Sequence, residues 1–342
     1  MPHKTFFWFF FPSGLAMLLF IGLPIFSSLF QSLHIETQQI LIEVETCDPF
    51  GCEMEVQVDQ DATSKLRDEK PMGKFNGLGT YIDRNHLAIS ELEEAWSQKT
   101  SFKNFISTLL NLPFYKALLF TLTFCFTVTP FVIVLGFCVA LSLNVLSKSI
   151  KGPLIFGSIL PMIVTPLIGS LVLFWMIDAQ GILGATLQYI FDDPNLSLKS
   201  SKNLTWMMLI IYGIWHNTPF AFIVFYAGLQ TVPQDPVEAA IIDGASRSQR
   251  VRFIVLPHLY PVATFIALIC LMDNFRVLEP ILGFSAEGVA QSLSWMIYQD
   301  LRNETQMLFG SAGATSMLTI IGVGILLTPV LLRTWKEFKT ER

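Results

Sequence analysis

An all-α membrane protein with six transmembrane helices is the fold class this chain predicts, and three observations carry the prediction. Hydrophobic residues make up 52% of its 342 positions and charged residues only 14%, against ~25% charged in a soluble domain. The mean hydropathy is +0.53. The apolar residues gather in six runs, roughly 6–30, 114–146, 154–177, 204–229, 257–275 and 308–332, each able to supply the ~20 residues that cross a bilayer. The net charge of -5 gives no footing for nucleic acid. No GxxxxGK[ST], HExxH or Cys/His metal spacing occurs, so ATPase, hydrolytic and metal chemistry are not expected of the chain itself.

The first run, in residues 1–30, is too long for a signal peptide and has no clear small-residue cleavage site, so it is expected to stay as the first span. Between it and the second run lies a long polar, acidic segment, 31–113, with turn signals at Asp48-Pro49-Phe50-Gly51 and Lys74-Phe75-Asn76-Gly77. It has little core-forming periodicity and is expected to be a partly ordered extracytoplasmic subdomain. Cys47 and Cys52 flank the first of those turns. An oxidising compartment would permit a disulfide there, and two unpaired thiols are the alternative. Cys125, Cys138 and Cys270 fall in apolar runs and read as packing residues.

Residues 114–342 hold the other five runs, and Lys and Arg orient them. With six spans both termini share one side, which would carry Lys4, Lys148, Lys151, Arg247, Arg250, Arg252, Arg333, Lys336, Lys339 and Arg342. The short loops opposite hold only Lys199, Lys202 and Arg302. Excess positive charge marks the cytoplasm, so both termini and the loop 230–257 are expected there. Phe6-Phe7-Trp8-Phe9-Phe10-Phe11 and Trp335 would sit at the cytoplasmic membrane interface.

That loop is the most informative stretch. Asp235-Pro236-Val237-Glu238 has the chemistry of a helix start, with Asp235 as cap, Pro236 at the first helical position and Glu238 as a capping-box acid. Gly244 permits the left-handed backbone that ends a short helix. Ser246-Arg247-Ser248-Gln249 offers a second cap, Arg247, Arg250 and Arg252 lie on the helix after it, and Pro257 marks the return to the membrane. The expectation is two short helices hinged at Gly244. Ala239, Ala240, Ile241 and Ile242 on so short a polar segment form an apolar surface that calls for a protein partner.

The spacing here resembles a known signature. Glu238-Ala239-Ala240, three residues, Gly244, nine residues, Ile254, one residue, Leu256-Pro257 is similar to the EAA motif of ATP-binding-cassette importer permeases. Ala227-Gly228-Leu229-Gln230-Thr231-Val232-Pro233 and Asp273-Asn274-Phe275-Arg276-Val277-Leu278 look like the sugar-importer branch, of maltose or glycerol-phosphate type. The resemblance covers about 113–342. The chain departs from the family where Leu282-Gly283-Phe284-Ser285-Ala286-Glu287-Gly288 stands for the usual Thr-Gly-Gly-Gly-Pro, and where Phe120-Thr121 stands for Asn-Thr. What the resemblance implies is a type I ABC importer (MetI-like) permease fold. Its cytoplasmic coupling helix, with Glu238, Ala239, Ala240, Asp243, Gly244 and Arg247, would seat on a separate ATPase dimer that uses the ATP, and no cofactor would be bound by this chain. A second, shorter permease and a periplasmic solute-binding protein would complete the assembly in the lipid of a bacterial inner membrane.

Ionisable groups within apolar runs point to transport chemistry. Asp273, Arg276 and Glu279 recur every third residue, which on a continuous helix would align them so that Arg276 could pair with either acid. With Asn274, and with His216 and Asn217 in the fourth run, they read either as a polar lining for sugar hydroxyls, Trp215 or Phe275 stacking on a ring, or as a salt-bridge set holding spans together. Pro130, Pro161, Pro166, Pro219 and Pro329 interrupt apolar runs and are expected to bend them. Gly310 and Ala314 allow close packing of the sixth span. The expected solute is a sugar or sugar-like molecule. A polyamine or phosphate ester is the alternative within the class. A self-sufficient channel, secondary transporter or membrane enzyme would need internal repeats, buried proton relays or a catalytic constellation, none of which is visible in the sequence.

Overall fold

The computed structural model describes the chain apart from residues 1–2, 38, 49–50, 70–72, 98–101, 195, 200, 303–306 and 341–342, with backbone alone at 3–5, 45–48, 51–56, 67, 102, 148, 333–334, 337–338 and 340. Helix α1 (His3–Met17) continues through a π-helical turn, Leu18–Gly22, into α2 (Leu23–Ser32). Strands β1 (His34–Ile35), β2 (Leu41–Asp48) and β3 (Gly51–Val58) follow, then α3 (Gln60–Glu69), β4 (Lys74–Phe75), α4 (Gly79–Ile82), α5 (Ile89–Ser97) and α6 (Phe102–Asn111). The membrane part continues with α7 (Pro113–Val145), α8 (Lys148–Ile163), α9 (Pro166–Met176), α10 (Ile182–Phe191) and α11 (Lys202–Leu229). Helices α12 (Gln234–Ile242) and α13 (Arg247–Arg250), a second π-helical turn at Val251–Val255, α14 (Leu256–Phe275), α15 (Glu279–Gly283), α16 (Leu293–Leu301) and α17 (Phe309–Thr340) complete it.

Among the described residues, five helical stretches are long and apolar enough to cross a membrane: Phe6–Ser32, Pro113–Val145, Lys202–Leu229, Arg247–Phe275 and Phe309–Leu332. The run at 154–177, read as one span bent at its prolines, is two helices meeting at 94° just before Pro166, so among the described residues the spans number six if the pair crosses as one. The cause is local. A residue before proline is pushed out of the α region, and Val164 and Thr165 are both extended ahead of Pro166. The Pro166 carbonyl is taken up by the Tyr212 hydroxyl of α11 at 2.9 Å and by Ser170 Oγ at 2.7 Å. The other prolines do not break their helices: α7 runs through Pro130, α8 through Pro161, α11 through Pro219 and α17 through Pro329.

The chain divides into two compact units. Unit 1 comprises residues 1–116 and 296–342. In it α17 packs along α2, where Gly313 lies so close that an added Cβ would stand 2.8 Å from the Ser28 carbonyl. The segment between the first two spans is more ordered than its sequence pattern suggests. β2 and β3 form an antiparallel hairpin in which Cys47 and Cys52 are Cα partners; a bridge between them would involve side chains outside those described. β1 pairs with β4, and buried His86 bonds through Nε2 to the Ser311 carbonyl (3.2 Å) and Thr315 Oγ1 (3.1 Å) of α17.

Unit 2, residues 117–295, is built around α11. Buried Leu209, Tyr212, Ala221, Phe222 and Phe225 of that helix meet Phe124, Val128 and Val132 of α7 and Ile266 of α14 in one apolar cluster. The outward faces, such as Phe126, Phe131 and Phe265, stay exposed as lipid-facing residues do. Cys125 and Cys270 are buried, while Cys138 is exposed and so does not serve as core packing.

Candidate functional site: an exposed jointed helix and a buried polar triad

The first site begins where α11 ends. Helix α12 starts earlier than Asp235 suggests: Pro233 takes the N-cap position, and no side chain makes a capping bond. Asp235 therefore lies in the first turn, where its charge favours the helix N-terminus, and neither it nor Glu238 forms the expected cap. The C-terminus follows its glycine. Gly244 has φ +76°, its N–H donates to the Ile241 carbonyl (3.0 Å), and the Ala245 N–H donates to the Ala240 carbonyl (2.8 Å). These are the two bonds of a Schellman stop. The expected box at Ser246 is present: Gln249 N–H donates to Ser246 Oγ (3.4 Å), and Ser246 N–H to Gln249 Oε1 (2.7 Å).

Beyond the joint the structure departs from two short helices. The turn Arg247–Arg250 does not stop before Pro257. It runs through the π-helical turn into α14, so Arg247–Phe275 is one 29-residue helix. A proline has no N–H to give the ladder, and the wider turn, closed by the Leu256 N–H on the Val251 carbonyl, lets the helix pass Pro257 unbroken. Glu238, Ala239, Ile241, Ile242, Asp243, Gly244 and Arg247 are exposed and Ala240 half-buried, with Ile242 85% accessible. The apolar stretch Ala239–Ile242 is thus left largely uncovered.

The second site lies between the spans of unit 2. Asn274, 3% exposed, donates from Nδ2 to Thr129 Oγ1 (3.1 Å) on α7 and accepts at Oδ1 from Asn217 Nδ2 (3.2 Å) on α11. Asn217 also donates to the Gly213 carbonyl (2.9 Å). Three helices are thus tied by one satisfied amide chain. Arg276 pairs with Asp273 at 2.8 Å, on exposed side chains. The alignment of Asp273, Arg276 and Glu279 along one helical face does not occur, because α14 ends at Phe275 and Glu279 opens α15. Phe275 is 2% exposed, so it offers no stacking face, whereas Trp215 is open. His216 stacks on Tyr212 with ring centroids 5.7 Å apart. Thr129 and Tyr212 were not singled out in the sequence. Thr129, a hydroxyl in mid-run beside Pro130, is the one that a search for lone polar residues inside apolar stretches would have found.

With that geometry in view, comparison with known proteins is decisive. The profile of the family described as "Binding-protein-dependent transport system inner membrane component" matches residues 99–335, more than half of the chain. The chain belongs to this family. It is 28% identical over 250 residues, 71% of this chain and 82% of the relative, to the trehalose/maltose transport system permease protein MalF of Thermococcus litoralis. It is 27% identical over 229 residues, 64% of this chain and 71% of the relative, to the arabinooligosaccharides transport system permease protein AraP of Halalkalibacterium halodurans. Its fold is that of an ABC transporter permease: a chain in the structure of a bacterial ABC transporter involved in the import of the acidic polysaccharide alginate aligns with TM-score 0.57 and 18% identity, covering 81% of this chain and 97% of that one. This family member is a multi-pass membrane permease component.

Proposed function

We propose that the chain is the transmembrane subunit of an ATP-driven importer that carries a sugar or sugar-like solute inward across a bacterial inner membrane by alternating access. The observation that carries the reading is the exposed α12 helix, stopped at a left-handed glycine and joined to one unbroken span. A separate ATPase dimer grips that helix, and nucleotide-driven closure displaces it. The spans then rock about the pathway between them. Glu238 anchors the helix by charge, Ala239 and Ala240 let it seat closely, and Asp243, Gly244 and Arg247 shape the joint. A second permease chain and a periplasmic solute-binding protein complete the machine, and both termini face the cytoplasm, as the distribution of Lys and Arg argues. The sugar assignment draws on relatives named for trehalose/maltose and arabinooligosaccharides.

The test is reconstitution. In proteoliposomes containing the chain with its ATPase, second permease and binding protein, uptake of a radiolabelled maltodextrin or arabinooligosaccharide should require ATP and every component. Uptake by the chain alone would overturn the proposal, as would labelling of a cysteine at position 242 from the periplasmic side only.

A further inference from the structure

At the end of unit 2 opposite α12, a cavity of about 310 Å3 opens between the start of α11 and the loop after α15. The 28 residues of α11 separate the two ends by about 42 Å. Phe174, Ile177, Met208 and Phe284 form the apolar walls, with Lys199 and Lys202 at the polar side. The loop that closes it contains Phe284, Ser285, Ala286 and Gly288, the stretch in which this sequence departs from the family pattern. Ser285 is held there at φ +48°, a left-handed conformation that non-glycine residues seldom adopt.

We propose that this cavity binds a small anionic, hydroxylated group: a carboxylate or phosphate carried on a single sugar-sized body.

The two lysines play different parts. Lys199 is already committed, with its ammonium 2.6 Å from Asp178 Oδ2 and 3.3 Å from the centre of the Phe174 ring. That pair fixes the wall and holds the Asp178 carboxyl below the usual carboxylate range, through the lysine hydrogen bond first and two backbone N–H groups after it. Lys202 is the available cation. Its ammonium stands 4.8 Å from the centre of the Trp206 ring, and no ion pair to it occurs among the described residues. Trp206 in turn is locked in place, donating from Nε1 to the Val289 carbonyl (2.9 Å) and meeting Phe120 edge-on at 4.9 Å. An ammonium over a fixed aromatic platform, next to apolar walls, suits a ligand with a negative group at one edge and a C–H face at the other. Ligand pockets run about 300–1,000 Å3, and this one has room for one sugar ring.

The assignment rests on the importer reading above, and makes the opening an outward-facing selector for acidic solutes. An anionic lipid headgroup presents the same chemistry from a different source. To separate them, the full chain in phosphatidylcholine nanodiscs would be titrated with glucuronate, glucose 6-phosphate, inorganic phosphate and glucose, following tryptophan emission against a Trp206→Phe background. A saturable change with the acidic sugars and none with glucose is expected. Lys202→Met should weaken it at least tenfold and Lys202→Arg should retain it. Competition by phosphatidylglycerol introduced into the discs, with inorganic phosphate also binding, would support the site with a headgroup as its occupant. No saturable change in any disc, an equal response to glucose, or an unaltered response in Lys202→Met would each overturn it. If the response is absent while the reconstituted importer still carries a neutral sugar, this inference fails and the importer reading survives.

Discussion

Gly244 sits in open space: a Cβ built on it meets nothing within 4 Å. Its requirement is therefore purely one of backbone, since φ +76° costs an L-residue about 1–2 kcal/mol and a β-branched one more. Gly244→Val should leave the protein inserted and assembled while ATP hydrolysis proceeds without uptake, read by running phosphate-release and uptake assays on the same vesicles. Normal uptake in that variant would remove the joint from the mechanism. Asn274 is the reverse case, a buried group whose worth lies in its partners. Asn274→Ala removes the partner of Thr129 Oγ1 and leaves Asn217 only its bond to the Gly213 carbonyl, and should lower thermal stability in detergent by the equivalent of about 1–2 kcal/mol; an unchanged melting temperature would show that the chain of amides does not hold the helices. Arg276, exposed and paired with Asp273, belongs to a class of ion pair worth about 0–1 kcal/mol. Arg276→Ala should accordingly alter transport rate or selectivity with assembly intact, and loss of assembly alone would make the pair structural. Sequence reading reached Gly244 and Ser246 because turn and cap chemistry is local. It could not reach the Asn274–Thr129 bond, whose partners lie 145 positions apart.

Among the elements, the clasp of unit 1 on the start of α17 is a site where pH should register. Glu36 Oε1 accepts from the Gly310 N–H, Ser311 Oγ donates to Asp300 Oδ2 (2.7 Å), and His86, whose Nδ1 is buried without a partner, donates from Nε2 to the Ser311 carbonyl. Burial raises the Asp300 carboxyl above its ordinary range, Glu36 adds to this, and Ser311 and His86 partly offset it. A raised carboxyl binds its proton more tightly folded than unfolded. Between the ordinary and the raised pKa the folded clasp thus holds more protons, so it is firmest in acid and loosens as pH rises through that window. Hydrogen-exchange protection at 83–88, taken relative to the intrinsic amide rate at each pH, should be greater at pH 4 than at pH 7, and Asp300→Asn should flatten that dependence. A pH response of equal size in that variant would exclude Asp300 as its source. The same scale shows what a one-dimensional pattern conceals. Hydropathy found the run at 154–177 but not its 94° bend, because apolar content is the same in a straight helix and a broken one. Pro166 carried the expectation of a bend, but nothing in one dimension set it apart from Pro130, Pro161, Pro219 and Pro329, whose helices run on. Conversely Pro257, read as the return to the membrane, lies within one continuous helix that the π-helical turn carries past it.

At the scale of the whole molecule, fold class and family were legible because they rest on long-range composition and on one motif with fixed spacing, both one-dimensional properties. The division into two units was not, since it joins the first 116 residues to the last 47, from Met296 to Arg342, and such closure depends on packing that pairs α17 with α2. The hairpin of β2 and β3 was likewise hidden, its alternation of polar and apolar residues being too short to outweigh the acidic character of the segment.

One further consequence comes from the unbroken Arg247–Phe275 helix. Its 29 residues make a strut about 44 Å long, tethered at the Asn274 end and open to push or pull at the other. A swing of about 10° around that tether would carry the free tip about 8 Å. Small angular play among tightly packed side chains is enough, on this gearing, to match a large stroke outside the bilayer, and the stroke needs no melting of the helix.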